Sequence, residues 1–500
     1  HAGGGAENMR RLLAMAAGYL GRDRPSSNFA PLPLPSLFAL GAYAAPRPWR
    51  EALAALPDRP FVPILVYRSA VSAGDTATGE ALAAALTSLK DPAVTAELAA
   101  LIATRRPTAI VTTTAFSARE GADFVLDGAD CPVFQAMPVG SARDTWAASA
   151  RGLSATDLAM QVALPEFDGR LGTIPVAFKA ETTDPATGLA TRRLVPDADG
   201  VAALADLVAG WIALASKPAA VRRLALVMSD YPARGGRAGF AVGLDTPASV
   251  GTIRGLLAEA GYDIPFRHCE RSEAIQWDVE RDGSGLLRCA RNDGQTLMAV
   301  LTTGPADLAL PLDAYRAWLE TIPTDAREAL LAAHGAPEAD PAFSDGAFRF
   351  RAVADGALTI ALQPPRDATP DRKARYHDPD APPSHGYLAF YRALRETAGI
   401  DALIHLGTHG TTEWLPGKAV ALSACCWPRL VTQGLPVVYP YVVDDPGEAA
   451  PAKRRLSAVT LGHLPPPLAE TGASGETALL RDLVEEFSQA QVLDPRRADI

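Results

Sequence analysis

The chain has 500 residues, too many for a single hydrophobic core, so roughly two to four domains are expected. Apolar residues make up 48% and charged residues 21%, the composition of a folded chain and not of a disordered one. The net charge of −10, with no basic stripe interleaved with aromatics, argues against a nucleic-acid surface.

Near the start, Met9-Arg-Arg-Leu-Leu-Ala-Met-Ala-Ala imitates a secretory signal, but its apolar part is short and lacks a cleavage pattern. It reads as an amphipathic helix. Apolar runs then alternate with helical patterns. Val62–Tyr67, Ala109–Thr113 and Cys131–Gln135 read as strands, and the alanine-rich Thr76–Leu89 reads as a helix. This alternation predicts a parallel sheet with crossover helices. The pattern recurs with a helix over Val201–Ser216, a strand over Arg223–Ser229 and a helix over Ser249–Ala260, which predicts two successive α/β lobes. Pro165–Gly172 and Tyr231–Gly239 are loop signals. Gly74-Asp-Thr-Ala-Thr-Gly79 precedes a helix and could cradle an anion, although Asp75 or Thr76 as a plain N-cap is the safer reading. No run of about 18 apolar residues occurs, so no membrane span is predicted.

The five cysteines (131, 269, 289, 425 and 426) form no CxxC pair and no zinc spacing. That usage fits a reducing, cytoplasmic compartment. Cys425 and Cys426 lie in an apolar stretch, where buried packing is expected.

His268-Cys-Glu-Arg-Ser-Glu-Ala-Ile-Gln276 and Gly285-Leu-Leu-Arg-Cys-Ala-Arg-Asn292 are related as codons. CATTGCGAGCGAAGCGAAGCAATCCAG encodes the first, and its reverse complement encodes the second with Phe in place of Cys289. Such a pair is what a translated inverted repeat produces. Residues 268–294 are therefore expected to be an exposed inserted excursion, in which His268, Cys269 and Cys289 were not placed by a site.

His405 to Lys418 reads HLGTHGTTEWLPGK and follows the apolar run Ala402-Leu403-Ile404. A buried strand there must break at Gly407, which sets two imidazoles, a carboxylate and an ammonium at its C-terminal edge, where ligands collect in open α/β sheets. A glycine-rich surface turn is the bland alternative. Gly407, Gly410 and Pro416-Gly417 rule out a continuous helix, so His405, His409 and Glu413 must converge through a loop. Glu413 suits a base or transient metal ligand, with His405 and His409 as ligands or proton relays. Four of the eight histidines (His377, His385, His405 and His409) cluster in this part of the chain. Lys418 and Arg454 could pair with substrate carboxylates, Lys453-Arg454-Arg455 is a basic run, and Trp414 could stack on a planar ligand or sit in the core. Asp444, Asp445 and Glu448 form a second acidic group that could present a metal or cap a helix starting near Gly447. The Gly417-Lys418 pair is no phosphate loop, because Thr412 and Ala419 stand where glycine and a hydroxyl are needed.

These stretches resemble one family in order: Gly74-Asp-Thr76, Pro165-Glu-Phe-Asp-Gly169, Gly243-Leu-Asp-Thr-Pro-Ala-Ser249, Tyr376-His-Asp-Pro-Asp, Pro382-Pro-Ser-His-Gly-Tyr-Leu-Ala-Phe-Tyr391, the His405–Lys418 stretch, Tyr439-Pro-Tyr-Val-Val-Asp-Asp-Pro-Gly-Glu448 and Ala452-Lys-Arg-Arg455. The chain resembles the large subunit of aerobic cobaltochelatase, a relative of the magnesium chelatase large subunit. The resemblance lapses between Pro265 and Leu297. It implies an enzyme that inserts Co²⁺, as substrate, into hydrogenobyrinic acid a,c-diamide during cobalamin biosynthesis. It further implies that ATP and Mg²⁺ act on an AAA+ ATPase subunit, assisted by a partner with a metal-adhesion domain. His405, His409 and Glu413 then serve catalysis and the metal, while His377, His385, Trp414, Lys418, Lys453 and Arg454 hold the corrinoid. Glu413-Trp-Leu-Pro-Gly-Lys resembles the cobalt enzymes, whereas Thr408 also occurs in magnesium relatives, which keeps magnesium chelatase as the alternative. A non-catalytic tetrapyrrole-binding remnant is the other.

The expected organisation is a helix and linker over 1–48, α/β lobes over 49–266, the inserted segment over 267–295, and the start of a chelatase body over 296–500. Family subunits are far longer, so the chain is expected to be an N-terminal portion, inactive in insertion on its own.

Overall fold

The computed structural model describes residues 61–66, 77–85, 102–117, 126–183, 190–229, 244–265, 275–277, 287–289, 293–366, 378–407, 410–442 and 446–463, with positions 119, 188, 239 and 241. The architecture is mixed α/β, built on two sheets that are largely parallel.

The first sheet takes its strands in chain order: β1 (Ile64–Leu65), β2 (Ile110–Thr112), β3 (Val133–Val139), β4 (Leu171–Thr183) and β5 (Ala190–Pro196). β1 to β4 run parallel, and β5 returns antiparallel along β4. Strands covered on both faces read as continuous apolar runs. β2 is buried throughout, and β3 at every position but Pro138. α1 (Ala77–Ala85) contributes Leu82 and Ala83 to this core. α2 (Arg143–Ala148) follows β3. α3 (Ala198–Ser216) starts where the Asp197 side chain accepts from Gly200 N at 2.9 Å, an N-cap. By length and composition α3 could cross a membrane. Here Val201, Leu204, Leu207 and Val208 pack against Phe134, Leu171 and Val176.

From α3 the chain enters the second sheet through β6 (Leu224–Met228), then passes α4 (Thr246–Glu259). β7 (Ile275–Trp277) and β8 (Leu287–Cys289) pair antiparallel with each other and belong to neither large sheet. α5 (Asp293–Thr303), β9 (Leu308–Pro311), α6 (Leu312–Leu319), α7 (Thr324–His334), β10 (Phe343–Ser344) and β11 (Ala347–Phe350) follow, with a small sheet ordered β10-β11-β9. The remainder is β12 (Ala352–Asp355), β13 (Leu358–Leu362), α8 (His385–Glu396), β14 (Ala402–Leu406), α9 (Trp427–Thr432), β15 (Val437–Val442), α10 (Pro446–Leu456) and β16 (Val459–His463).

The second sheet is ordered β12-β13-β6-β14-β15-β16, with β13, β6, β14 and β15 parallel. Alternate residues of its central strands face opposite ways. Leu224, Leu226 and Met228 pack with Val250 of α4 and Leu297 and Leu301 of α5. Ala225, Val227 and Leu403 pack with Tyr387, Phe390 and Leu394 of α8. α4 and α5 therefore cover one face, and α8 covers the other together with β9, α6, α7 and β11. Strand order reverses between β6 and β14, and a sheet of this kind opens its ligand crevice outside the carboxyl ends of such a pair. Ser229 and Gly407 occupy those ends.

Periodicity located these elements but not their partners. The sequence reading divides the α/β lobes from the chelatase body at 267–295, whereas β6 from one side shares a sheet with β13 to β16 from the other. Strand pairing is set by tertiary contact, which a local pattern does not carry. His268, Cys269 and the anion-cradle stretch at 74–76 lie outside the described residues, as does the side chain of Cys289.

Candidate functional site

β14 delivers His405 to the carboxyl edge, and the His405 ring is fully buried. It stacks on Tyr439 with centroids 5.3 Å apart and an interplanar angle of 3°. Its Nε2 lies 3.0 Å from Gln363 Nε2. Gln363 Oε1 accepts from Thr411 N at 2.9 Å, which fixes the amide so that its nitrogen faces the imidazole. Two opposed N–H groups would repel, so His405 Nε2 accepts and the neutral ring carries its proton on Nδ1. The backbone crosses the imidazole at Gly410, where a Cβ would stand 2.4 Å from His405 Cε1. Only glycine permits that approach.

A short 3₁₀ turn, Thr412–Trp414, places the Glu413 carboxylate inside the protein with no exposed surface. Its Oε1 accepts from Gly410 N at 2.7 Å and from the Tyr439 hydroxyl at 2.8 Å. Its Oε2 has no partner among the described residues. The Ser229 hydroxyl, across the strand pair, is buried and equally without a partner among them, and a Cβ on Gly407 would meet it at 2.3 Å. Two unsatisfied polar atoms thus flank the point where strand order reverses. Burying such groups without partners costs free energy.

Three residues that sequence reasoning did not assign hold this arrangement. Gln363, just past β13, places its Nε2 within 3.1 Å of the hydroxyls of Tyr387, Tyr391 and Thr412. Burial pushes the Tyr391 phenol to about 12 and raises that of Tyr387, so both stay protonated. Arg455 donates to three carbonyls of the loop: Glu413, Leu415 at 2.7 Å and Lys418 at 3.0 Å. Arg366 ties the Asp378 and Ala381 carbonyls to that of Trp414. A Gln-Pro-Pro-Arg turn after an apolar strand was the signal for Gln363 and Arg366, and the basic run at 453–455 was the signal for Arg455.

Several expected ligand-binding groups are instead spent inside the fold. Lys418 is 8% exposed, and its ammonium donates to the carbonyls of Trp146, Ala147 and Ser149 at 2.8, 2.8 and 2.7 Å. It caps the C-terminus of α2, where carbonyl dipoles favour a cation, so no donor remains for a substrate carboxylate. Arg454 makes a two-point ion pair with Glu166 at 2.9 Å, joining α10 to the Pro165–Gly169 stretch. His385 is buried with both nitrogens engaged, Nδ1 with the Tyr315 hydroxyl at 2.8 Å and Nε2 with the Gly335 carbonyl at 3.1 Å. It shares no hydrogen-bond partner with His405. At all three a long-range partner inside the fold takes side-chain atoms that the sequence reading left for a ligand.

Trp414 is half-buried beside the loop, and Lys453 is half-buried on the last turn of α10 without an ion pair among the described residues. Cys426 is buried, its sulfur accepting from Lys418 N and Ser423 N at 3.3 Å, while Cys425 is exposed. His377, His409, Asp444, Asp445 and the side chain of Glu448 lie outside the described residues. Among the described residues no three His, Cys, Asp or Glu side chains gather as a metal-ligand set. Tyr439 touches both groups, stacking on the His405 ring and donating its hydroxyl to Glu413.

A family model described as CobN/Magnesium Chelatase matches residues 1–500. The aerobic cobaltochelatase subunit CobN of Pseudomonas aeruginosa is 40% identical over 521 aligned residues, covering 99% of this chain and 40% of that protein. A magnesium-chelatase subunit from Cereibacter sphaeroides is 30% identical over 393 residues, covering 75% of this chain and 31% of that protein. The catalytic subunit of cobaltochelatase from Mycobacterium tuberculosis superposes with a TM-score of 0.76 at 32% identity, covering 100% of this chain and 42% of that one. The chain spans about 40% of the length of the relatives it matches.

Proposed function

The chain belongs to the CobN/magnesium chelatase family, and from that premise we propose that it is part of the large subunit of a cobaltochelatase. Its substrates are a corrinoid, hydrogenobyrinic acid a,c-diamide, and Co²⁺. Three physical demands define the reaction: the cation sheds water, ring nitrogens lose protons, and the macrocycle is held meanwhile. The observation that carries the reading is Glu413. Its carboxylate is fully buried and held at one oxygen by Gly410 and Tyr439, while the other has no partner among the described residues and suits a proton or a cation. The His405 ring stacks on Tyr439, whose hydroxyl donates to Glu413, and so helps to position that donor. ATP hydrolysis belongs to an AAA+ partner with its own Mg²⁺, assisted by a metal-adhesion-domain subunit, and the complex works in the cytoplasm. The greater identity to the cobalt enzyme than to the magnesium enzyme favours Co²⁺.

The test is Glu413→Gln in the complete large subunit, with corrinoid, Co²⁺, ATP and both partner subunits. Metal insertion should fall about 10²–10⁴-fold, the usual contribution of a positioned acid–base group. Corrinoid affinity should stay within about threefold. Equal loss of both would make Glu413 a structural residue. Tighter binding of a porphyrin than of the corrinoid would move the assignment to magnesium.

A further inference from the structure

A cleft of about 810 Å³ separates α3 of the first lobe from α9, the 433–436 turn and the end of α10. It lies toward the amino end of β14 and β15, where Asp401 and Pro436 line it, away from the Glu413 carboxylate. At one end the lobes touch closely, since a Cβ on Gly210 would lie 2.3 Å from the Gly434 carbonyl oxygen.

The charges lining this cleft do not balance. Arg454 is neutralised by Glu166, Asp401 by Lys217 at 2.5 Å, and Asp199 is paired with Arg143 at 3.6 Å. Arg395, Arg429 and Arg455 have no carboxylate partner among the described residues, and exposed Asp206 is the remaining acid on the wall. Arg395 spends NH1 on the carbonyls of Thr432 and Gln433, and Arg429 spends NH2 on the carbonyl of Asp199. Their other N–H groups have no partner among the described residues. Burial lowers the pKa of both guanidinium groups, opposed by Asp206 at Arg395 and first by Asp199 at Arg429.

We propose that the interlobe cleft binds an oxyanionic group of at least two negative charges, phosphate or carboxylate, held by the open N–H groups of Arg395 and Arg429. Guanidinium forks match carboxylate and phosphate oxygens two at a time, and a half-enclosed cleft strengthens each contact over its value in water. Arg455 lines the same cleft while holding the Glu413, Leu415 and Lys418 carbonyls, so the occupant lies one residue from the loop that carries the buried carboxylate. The anion is either a free phosphate-bearing molecule or the carboxylate fringe of a macrocycle.

Calorimetric titration of this 500-residue chain at low salt tests the proposal with pyrophosphate, citrate and a porphyrin octacarboxylate. One saturable site is expected. Arg429→Gln should weaken it about tenfold, the loss of one charge-assisted contact. Asp206→Asn should tighten it about threefold by removing a carboxylate from the cleft lining, a gain that misfolding cannot imitate. Preference for pyrophosphate assigns the phosphate source, and preference for the porphyrin assigns the macrocycle. Absence of saturable binding by all three overturns the proposal, as does indifference of the affinity to both substitutions.

Discussion

Both lobes bury charge beside a parallel sheet, the first just before β4 and the second just after β14, and they treat it in opposite ways. In the first lobe Asp168 and Arg170 are almost wholly enclosed and 2.7 Å apart. Every remaining valence there is met. Ser117 donates to the carboxylate, and Arg170 reaches Gln135 at 2.9 Å, the Thr114 carbonyl at 2.6 Å and the Phe116 carbonyl at 3.1 Å. In the second lobe Glu413 is buried as deeply, and among the described residues its carboxylate has no ion pair and one oxygen has no partner. A closed network fixes a loop. An open one keeps a valence for something else. Depth of burial alone therefore does not distinguish these two charges, whereas their partners among the described residues do.

The strongest way to break this comparison is to open the closed network. Asp168→Ala leaves the Arg170 guanidinium buried without its counter-ion, and about 3–5 kcal/mol of unfolding free energy should be lost in urea titration. A loss under about 1 kcal/mol would mean that water or neighbours already neutralise Arg170, and the contrast with Glu413 would collapse. Lys418 gives the next largest effect. Lys418→Met removes three charge-assisted bonds to the end of α2 and should lower stability by about 1–3 kcal/mol. Corrinoid affinity of the complete subunit should barely move. The reverse pattern, intact stability and lost affinity, would restore Lys418 to the ligand.

What the sequence made legible follows the same division. Apolar runs at 109–113, 223–229 and 402–404 located strands because a covered parallel sheet leaves a continuous signature, and the His405–Lys418 stretch located the edge where the second sheet ends. Charged side chains were read less well. A lysine or arginine beside a site motif looks the same in sequence whether it faces ligand or caps a helix 272 positions away, as Lys418 does with Trp146. Gln363 was invisible for the converse reason. Its importance lies in touching Tyr387, Tyr391, His405 and Thr412 at once, and no spacing records that convergence.

A smaller effect sharpens the open side of the comparison. Glu413→Gln keeps shape and an acceptor at Oε1 while removing a charge that burial disfavours. Stability should change by less than about 1 kcal/mol in either direction, although insertion collapses in the complete subunit. Loss of several kcal/mol in the same urea titration would place Glu413 with Asp168 as a structural charge.

The smallest effect concerns His385, the histidine that resembles a site residue in sequence and a closed network in structure. Burial lowers its pKa below the ordinary value of about 6.5, partly opposed by the Gly335 carbonyl and by Asp340 and Glu338, while His334 acts with burial. The folded protein therefore holds the ring neutral, accepting from the Tyr315 hydroxyl, where the unfolded chain would already bind a proton. Its contribution is present in full above about pH 6.5 and is lost as pH falls towards the folded value. Melting temperature should thus drop between about pH 7.5 and pH 5 more steeply in the wild type than in His385→Gln, which has no imidazole to charge. Parallel profiles would show that His385 is free to protonate in place, and that its two hydrogen bonds do not close the network as the Asp168 bonds do.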